Sequence, residues 1–169
     1  SLPWLGTFHS VCAKLVRRHA ESVGLNSHFT IIDQDDQIRL IKNICKAENI
    51  DIKKLAPQYI LSLINNWKNK GWFPKDVIVK RDIPLEKEIL IVYQHYQEKI
   101  KNLNSCDFGD LILLCVNMFE NNKDILELYS NNFKYVLVDE YQDSNFIQSK
   151  WLNLLAQKNN NICCVGDDD

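Results

Sequence analysis

The sequence predicts a mainly α chain in which a long helical stretch is attached to two or three parallel strands of an α/β sheet. Three observations carry that reading. From about residue 8 to 133, apolar residues recur at helical spacing. At Tyr135 the pattern switches to short continuous apolar runs, "YVLV" and later "ICCVG", the signature of strands covered on both faces in a parallel sheet. An amphipathic segment separates these runs, so residues 135 to 165 read as a βαβ unit of about the usual 30-residue length.

The elements follow in order. "PWLGT" supplies a candidate strand over residues 1–7. Phe8, Val11, Cys12, Leu15, Val16 and Val23 then share one helical face, with Lys14, Arg17, Arg18 and Glu21 on the other. Thr7 can cap that helix and Gly24 can end it. Asp33 opens the next helix, with Asp35 and Asp36 where the dipole favours acids, and Ile38, Ile41 and Cys45 form its buried stripe. Pro57 suits the first turn of a third, whose Ile60, Leu63, Ile64 and Trp67 recur at i, i+3, i+4 and i+7 before Gly71. The longest helix starts near Leu85 and turns Ile89, Val92, Tyr93, Tyr96, Ile100 and Leu103 inward. Asp107 caps another, with Phe108, Leu111, Ile112, Cys115 and Phe119 inward, and a short helical segment spans Ile125 to Tyr129. In the last unit, Ile147, Trp151, Leu154 and Leu155 mark the helix between the two strands. The division is therefore a strand over 1–7, a helical region over 8–133 and a βαβ unit over 134–169.

Composition bounds the function. With 169 residues and 46% hydrophobic content, the chain can bury one ordinary core or two small ones. A net charge of -2 argues against a globally basic nucleic-acid binder but leaves a local groove open. The six cysteines form no CxxC pair and fall on apolar faces, which suits buried free thiols in a reducing cytosol rather than a zinc site. No apolar run is long enough to cross a bilayer and no signal peptide precedes Ser1, so a cytoplasmic protein without a membrane partner is expected. The start at "SLPWLG" and the stop at "VGDDD" read as cuts in something longer.

The chemistry concentrates in "VLVDEYQDSN", residues 136 to 145. A buried strand that runs straight into Asp139 and Glu140 is poor packing material. Open parallel sheets bind ligands beyond the carboxyl ends of their strands, where Asp167 and Asp168 also fall. Such carboxylates suit a Mg²⁺ ion completed by water and phosphate oxygens, with Glu140 orienting or deprotonating a water. Read alone, the pair also fits a strand simply leaving the core.

The full string resembles the Walker B motif of UvrD-like superfamily 1 DNA helicases. "VGDDD" resembles the start of the next motif, and "GTFHS" and "DFGDLI" resemble two others, in family order and over essentially the whole chain. The resemblance implies the second half of a first RecA-like P-loop motor domain, its sheet incomplete, with a helical insertion domain. On this resemblance, Asp139 holds Mg²⁺, Glu140 is the catalytic base for ATP hydrolysis, and Gln142 couples the nucleotide and DNA sites. Asp167 and Asp168 link hydrolysis to DNA contacts. Thr7, Phe8 and His9 lie near the single-stranded DNA backbone, and Phe108 meets a base.

The implied parent is an ATP-dependent helicase acting at single-stranded DNA and its duplex junctions, 3′ to 5′ by family analogy, in repair or replication alongside other repair proteins. A helicase–nuclease is a second possibility, and a catalytically silent, protein-binding helical module a third. Mg²⁺ and ATP belong to the full-length parent. These 169 residues contain no GxxxxGK[ST] loop, so they are expected neither to hold the nucleotide tightly nor to hydrolyse it alone. Incomplete sheet edges are expected to leave the strands poorly ordered or pairing between chains.

Spacing alone gives other readings for the DNA residues: Thr7 is a good cap, and Phe108 sits on an apolar stripe. "WKNKGWFPK", residues 67 to 75, interleaves Lys68, Lys70 and Lys75 with Trp67, Trp72 and Phe73 as nucleic-acid binders do. Trp67, however, already belongs to a core stripe, so the structural reading is preferred there.

Overall fold

The computed structural model describes residues 4–132, 136–141, 145–156 and 162–166. In chain order, the first half comprises β1 (Trp4–Thr7), α1 (Phe8–Arg18), β2 (Thr30–Ile32), α2 (Gln34–Ala47), α3 (Pro57–Asn69) and α4 (Glu86–Asn102). The second half comprises β3 (Ser105–Asp107), α5 (Phe108–Asn121), α6 (Lys123–Asn132), β4 (Val136–Tyr141), α7 (Phe146–Ala156) and β5 (Ile162–Gly166). The chain is mainly α with parallel strands, as its periodicities predict. It folds into two compact units, one made of residues 1–28 and 109–169 and the other of residues 29–108.

The first unit carries a three-stranded parallel sheet in the order β1–β4–β5. The expected βαβ unit is there, and the candidate N-terminal strand pairs along the other side of β4. The strands thus pair within the chain. Residues 1–3 lie outside the described set. The turn from β1 into α1 has no connecting loop: Gly6 takes φ 148°, a conformation side chains rarely adopt, and Thr7 already caps the helix. The helix expected to run to Gly24 stops at Arg18. A 3-10 turn over Ala20–Val23 follows, closed by Gly24 at φ 79°. Phe8, Val11, Cys12, Leu15, Cys115, Phe119, Ile147 and Trp151 are all buried here. Phe8 meets Trp151 edge-on at 5.5 Å, and the Trp151 indole N–H donates to Cys115 Sγ at 3.2 Å.

The second unit is built from α2, α3 and α4. Its core joins Ile41, Ile44 and Cys45 to Ile60, Ile64 and Trp67 and to Ile89, Val92, Tyr93, Tyr96 and Ile100, the stripes that helical spacing marks out. Each large side chain buried this way contributes about 1.5–3 kcal/mol. Asp33 caps α2 by accepting from the Asp36 N–H at 2.9 Å, and Pro57 takes the first turn of α3.

Three expectations fail in this region. The stretch read as wholly helical also holds β2 and β3, which pair in parallel with Ile32 opposite Asp107. Leu103, assigned to the buried face of α4, is 65% exposed, because the helix ends at Asn102 and Asn104 turns the chain at φ 49°. Phe108, assigned inward, is 57% exposed. Cys12, Cys45, Cys106 and Cys115 are free and buried, as their places on apolar faces predict. Among the described residues, no helix is long and apolar enough to cross a membrane.

Candidate functional site

The central strand β4 carries Asp139 and Glu140 at its carboxyl end. Parallel pairing sets Thr7 of β1 opposite Asp139 on one side and Val165 of β5 opposite it on the other. The β4–β5 register shifts between Asp139 and Tyr141, so Glu140 is the extra residue of an irregularity. Bulges of this kind recur beside active sites because they interrupt the regular ladder. The acidic stretch and "GTFHS", remote in sequence, thus end on adjacent strands at the edge where open α/β sheets bind ligands. Carboxylate oxygens are the hard donors that Mg²⁺ takes, so the residue types at this edge fit that ion. Gln142, Asp167 and Asp168 lie outside the described residues.

Thr7 has a structural duty. Its Oγ1 accepts from the Ser10 N–H at 3.1 Å, and Ser10 Oγ donates back to the Thr7 carbonyl at 3.0 Å. A hydroxyl that accepts one bond still has its own proton to donate, so capping and a contact to an anion are compatible. His9 is half-buried in the first turn, and burial lowers its pKa from 6.5 to about 4. It is therefore a neutral imidazole at pH 7, able to offer one N–H but not a charge. Phe8, grouped with these two on resemblance, is 1% exposed. Its ring packs the core and offers no face to DNA.

Phe108 belongs to the second unit, where it follows β3 and opens α5. A buried polar cluster stands directly behind it in sequence. Asp107 and Lys68 are both 0% exposed, and Lys68 Nζ lies 2.6 Å from Asp107 Oδ2. The same oxygen accepts from the Tyr96 hydroxyl at 2.7 Å and from Gln37 Nε2 at 3.2 Å, and Gln37 also donates to the Tyr96 oxygen at 3.0 Å. Lys68 Nζ sits over the Tyr96 ring, 5.1 Å from its centroid. One carboxylate thus ties together α2, α3, α4 and β3.

Within "WKNKGWFPK", Trp67 packs the core as its stripe predicts, and Lys68 is buried against Asp107, a role the basic and aromatic mix does not announce. The available signal was Lys68 itself, which continues the Ile60–Ile64 stripe at i+8 and i+4. A lysine on an apolar stripe needs a buried carboxylate.

Residues 1–169 match the profile described as the UvrD/REP helicase N-terminal domain. The chain is 44% identical over 168 residues to a probable DNA helicase II homolog of Rickettsia conorii, covering 98% of this chain and 26% of that protein. It is 41% identical over 166 residues to the ATP-dependent DNA helicase PcrA of Staphylococcus epidermidis, covering 98% of this chain and 23% of that one. The PcrA of Staphylococcus aureus is 42% identical over the same length. The chain spans about a quarter of the length of the curated relatives it matches.

Proposed function

Because the chain belongs to the UvrD/REP helicase N-terminal domain family, we propose that it forms part of an ATP-dependent DNA helicase that moves 3′ to 5′ along single-stranded DNA. Asp139 would hold Mg²⁺, which when bound neutralises charge on the nucleotide phosphates. Glu140 accepts the proton of the water that attacks the terminal phosphate, and Gln142 with Asp167 and Asp168 passes the state of the nucleotide to the DNA. Thr7 and His9 donate hydrogen bonds to backbone phosphates; with His9 neutral, that contact is positioning rather than charge pairing. Phe108 stacks on a base, a contact every base can make.

The observation that carries this reading is the register that sets Thr7 opposite Asp139. Two candidate sites for different ligands share one strand pair, so a small shift of β4 against β1 is felt at both. The test is steady-state ATP turnover by the full-length protein, with and without single-stranded DNA. Turnover that rises severalfold on adding DNA supports the proposal. Turnover that is absent, or indifferent to DNA, overturns it.

A further inference from the structure

Asp107 and Phe108 are neighbours with inverted burial: the charged residue is 0% exposed and the aromatic one 57% exposed. Each half of that inversion is unfavourable, since burying a carboxylate forfeits hydration and exposing a phenyl ring forfeits apolar burial. An ordinary helix start reverses them, with the acid in water and the ring in the core. The inversion is held by donors from three helices: Lys68 of α3, Tyr96 of α4 and Gln37 of α2, all converging on Asp107 Oδ2. Backbone pairing holds the same residue from a fourth direction, with Asp107 opposite Ile32 in the β2–β3 ladder. Consecutive Cα atoms are separated by a fixed distance of about 3.8 Å. Clamping Asp107 therefore clamps the base of the Phe108 side chain.

We infer that Lys68 and Asp107, with Tyr96 and Gln37, are positioning residues for Phe108: the buried ion pair sets where the exposed ring stands and so how well it stacks on a DNA base. This inference rests on the reading of Phe108 as a base-stacking residue. It assigns a part in DNA binding to groups that never touch DNA. Lys68, whose basic and aromatic neighbours give it the look of a nucleic-acid contact, works from inside. A loosened clamp leaves the ring in place on average but lets it sample more orientations, and a contact made through a flat face loses strength with each wrong angle.

The test uses the full-length protein and a single-stranded oligonucleotide carrying 2-aminopurine, whose fluorescence falls when a ring stacks on it. Phe108→Ala should abolish the quenching and weaken binding by about 5- to 150-fold, the range for losing one base–aromatic contact. Lys68→Met should keep its near-UV spectrum yet lose part of the quenching and bind about 3- to 10-fold more weakly, a fraction of that same contact. Lys68→Met/Asp107→Asn, which removes both charges while leaving an acceptor for Tyr96, should restore most of both. In a Phe108→Ala background, Lys68→Met should have no further effect, because its influence passes through the ring. Tyr96→Phe removes one bond to Asp107 and carries the same expectation at smaller size, should Lys68→Met fail to fold.

If Phe108→Ala leaves quenching and affinity intact, the stacking reading is wrong and this inference falls with it. If Phe108→Ala acts as expected but folded Lys68→Met (or Tyr96→Phe) stacks and binds like wild type, the stacking reading stands and the positioning role is refuted. An equal loss from Lys68→Met with and without Phe108 also refutes it.

Discussion

Replacing Lys68 by Met removes one charge of a pair that has no access to water. The two charges are 2.6 Å apart and both 0% exposed. At an effective dielectric of about 20, their attraction is about 6 kcal/mol. Part of this is offset, because the lysine no longer has to be desolvated and its replacement is apolar. Asp107 also keeps its bonds from Tyr96 and Gln37. The remaining cost is that of a buried carboxylate without its counter-ion, about 3–5 kcal/mol, and the bonds that survive place this site near the lower end. Against a typical domain stability of about 5–15 kcal/mol, the variant remains folded but visibly weaker. Urea titration of the chain reads this out through Trp67, which stacks on Tyr93 with ring centroids 5.5 Å apart in the same core. With a slope of about 1–3 kcal/mol per molar, the midpoint should fall by about 1–3 M. Lys68→Met/Asp107→Asn should lie within about 1 kcal/mol of wild type, since removing both charges also removes the uncompensated one. A midpoint drop under about 0.3 M for the single variant, or a double variant no better than the single, refutes the reasoning.

Three further outcomes are expected. A Cβ on Gly6 would lie 2.5 Å from Ser10 Oγ at a φ of 148°, so Gly6→Ala should cost about 1–3 kcal/mol in thermal unfolding. Adding Ser10→Ala should recover only the steric part. Trp151 is fully buried and bonded to Cys115, so Trp151→Ala should destabilise the chain by about 3–5 kcal/mol, and Trp151→Phe by clearly less. His9, whose pKa burial lowers from its ordinary 6.5 to about 4, binds fewer protons in the folded state between those values. Its contribution to stability is fully present above pH 6.5 and is lost as pH falls toward 4. His9→Gln should flatten that part of the stability–pH curve, as measured by urea midpoints across the window.

How much of this was legible in the sequence depends on the range of the interaction. Helices α2, α3 and α4 were readable because their partners lie three or four residues away, and β4 because a continuous apolar run reads as a parallel strand before its partners are known. The short strands β2 and β3 were not, since "TII" and "SCD" are too brief to show a period of two. Leu103 is misplaced by extending helical periodicity past the left-handed turn at Asn104, and Phe108 because the stripe of α5 does not reveal that its first residue stays exposed. The acidic strand end could be read from one ten-residue string. Its alignment with Thr7 could not, because strand register between distant segments is set by the folded sheet. The clamp behind Phe108 was half visible: a lysine on an apolar stripe announces a buried partner but does not say which carboxylate it is.

Glu140, at the end of β4, is the proposed base of the motor site. The direct measurement is single-turnover ATP cleavage by the full-length protein on saturating single-stranded DNA, wild type against Glu140→Gln, with nucleotide binding followed in parallel. The substitution keeps size and removes the proton acceptor. Binding should persist while cleavage slows by about 10²–10⁴-fold, the usual contribution of general base catalysis. Cleavage within about twofold of wild type would contradict the assignment and leave the acidic strand end without its chemistry.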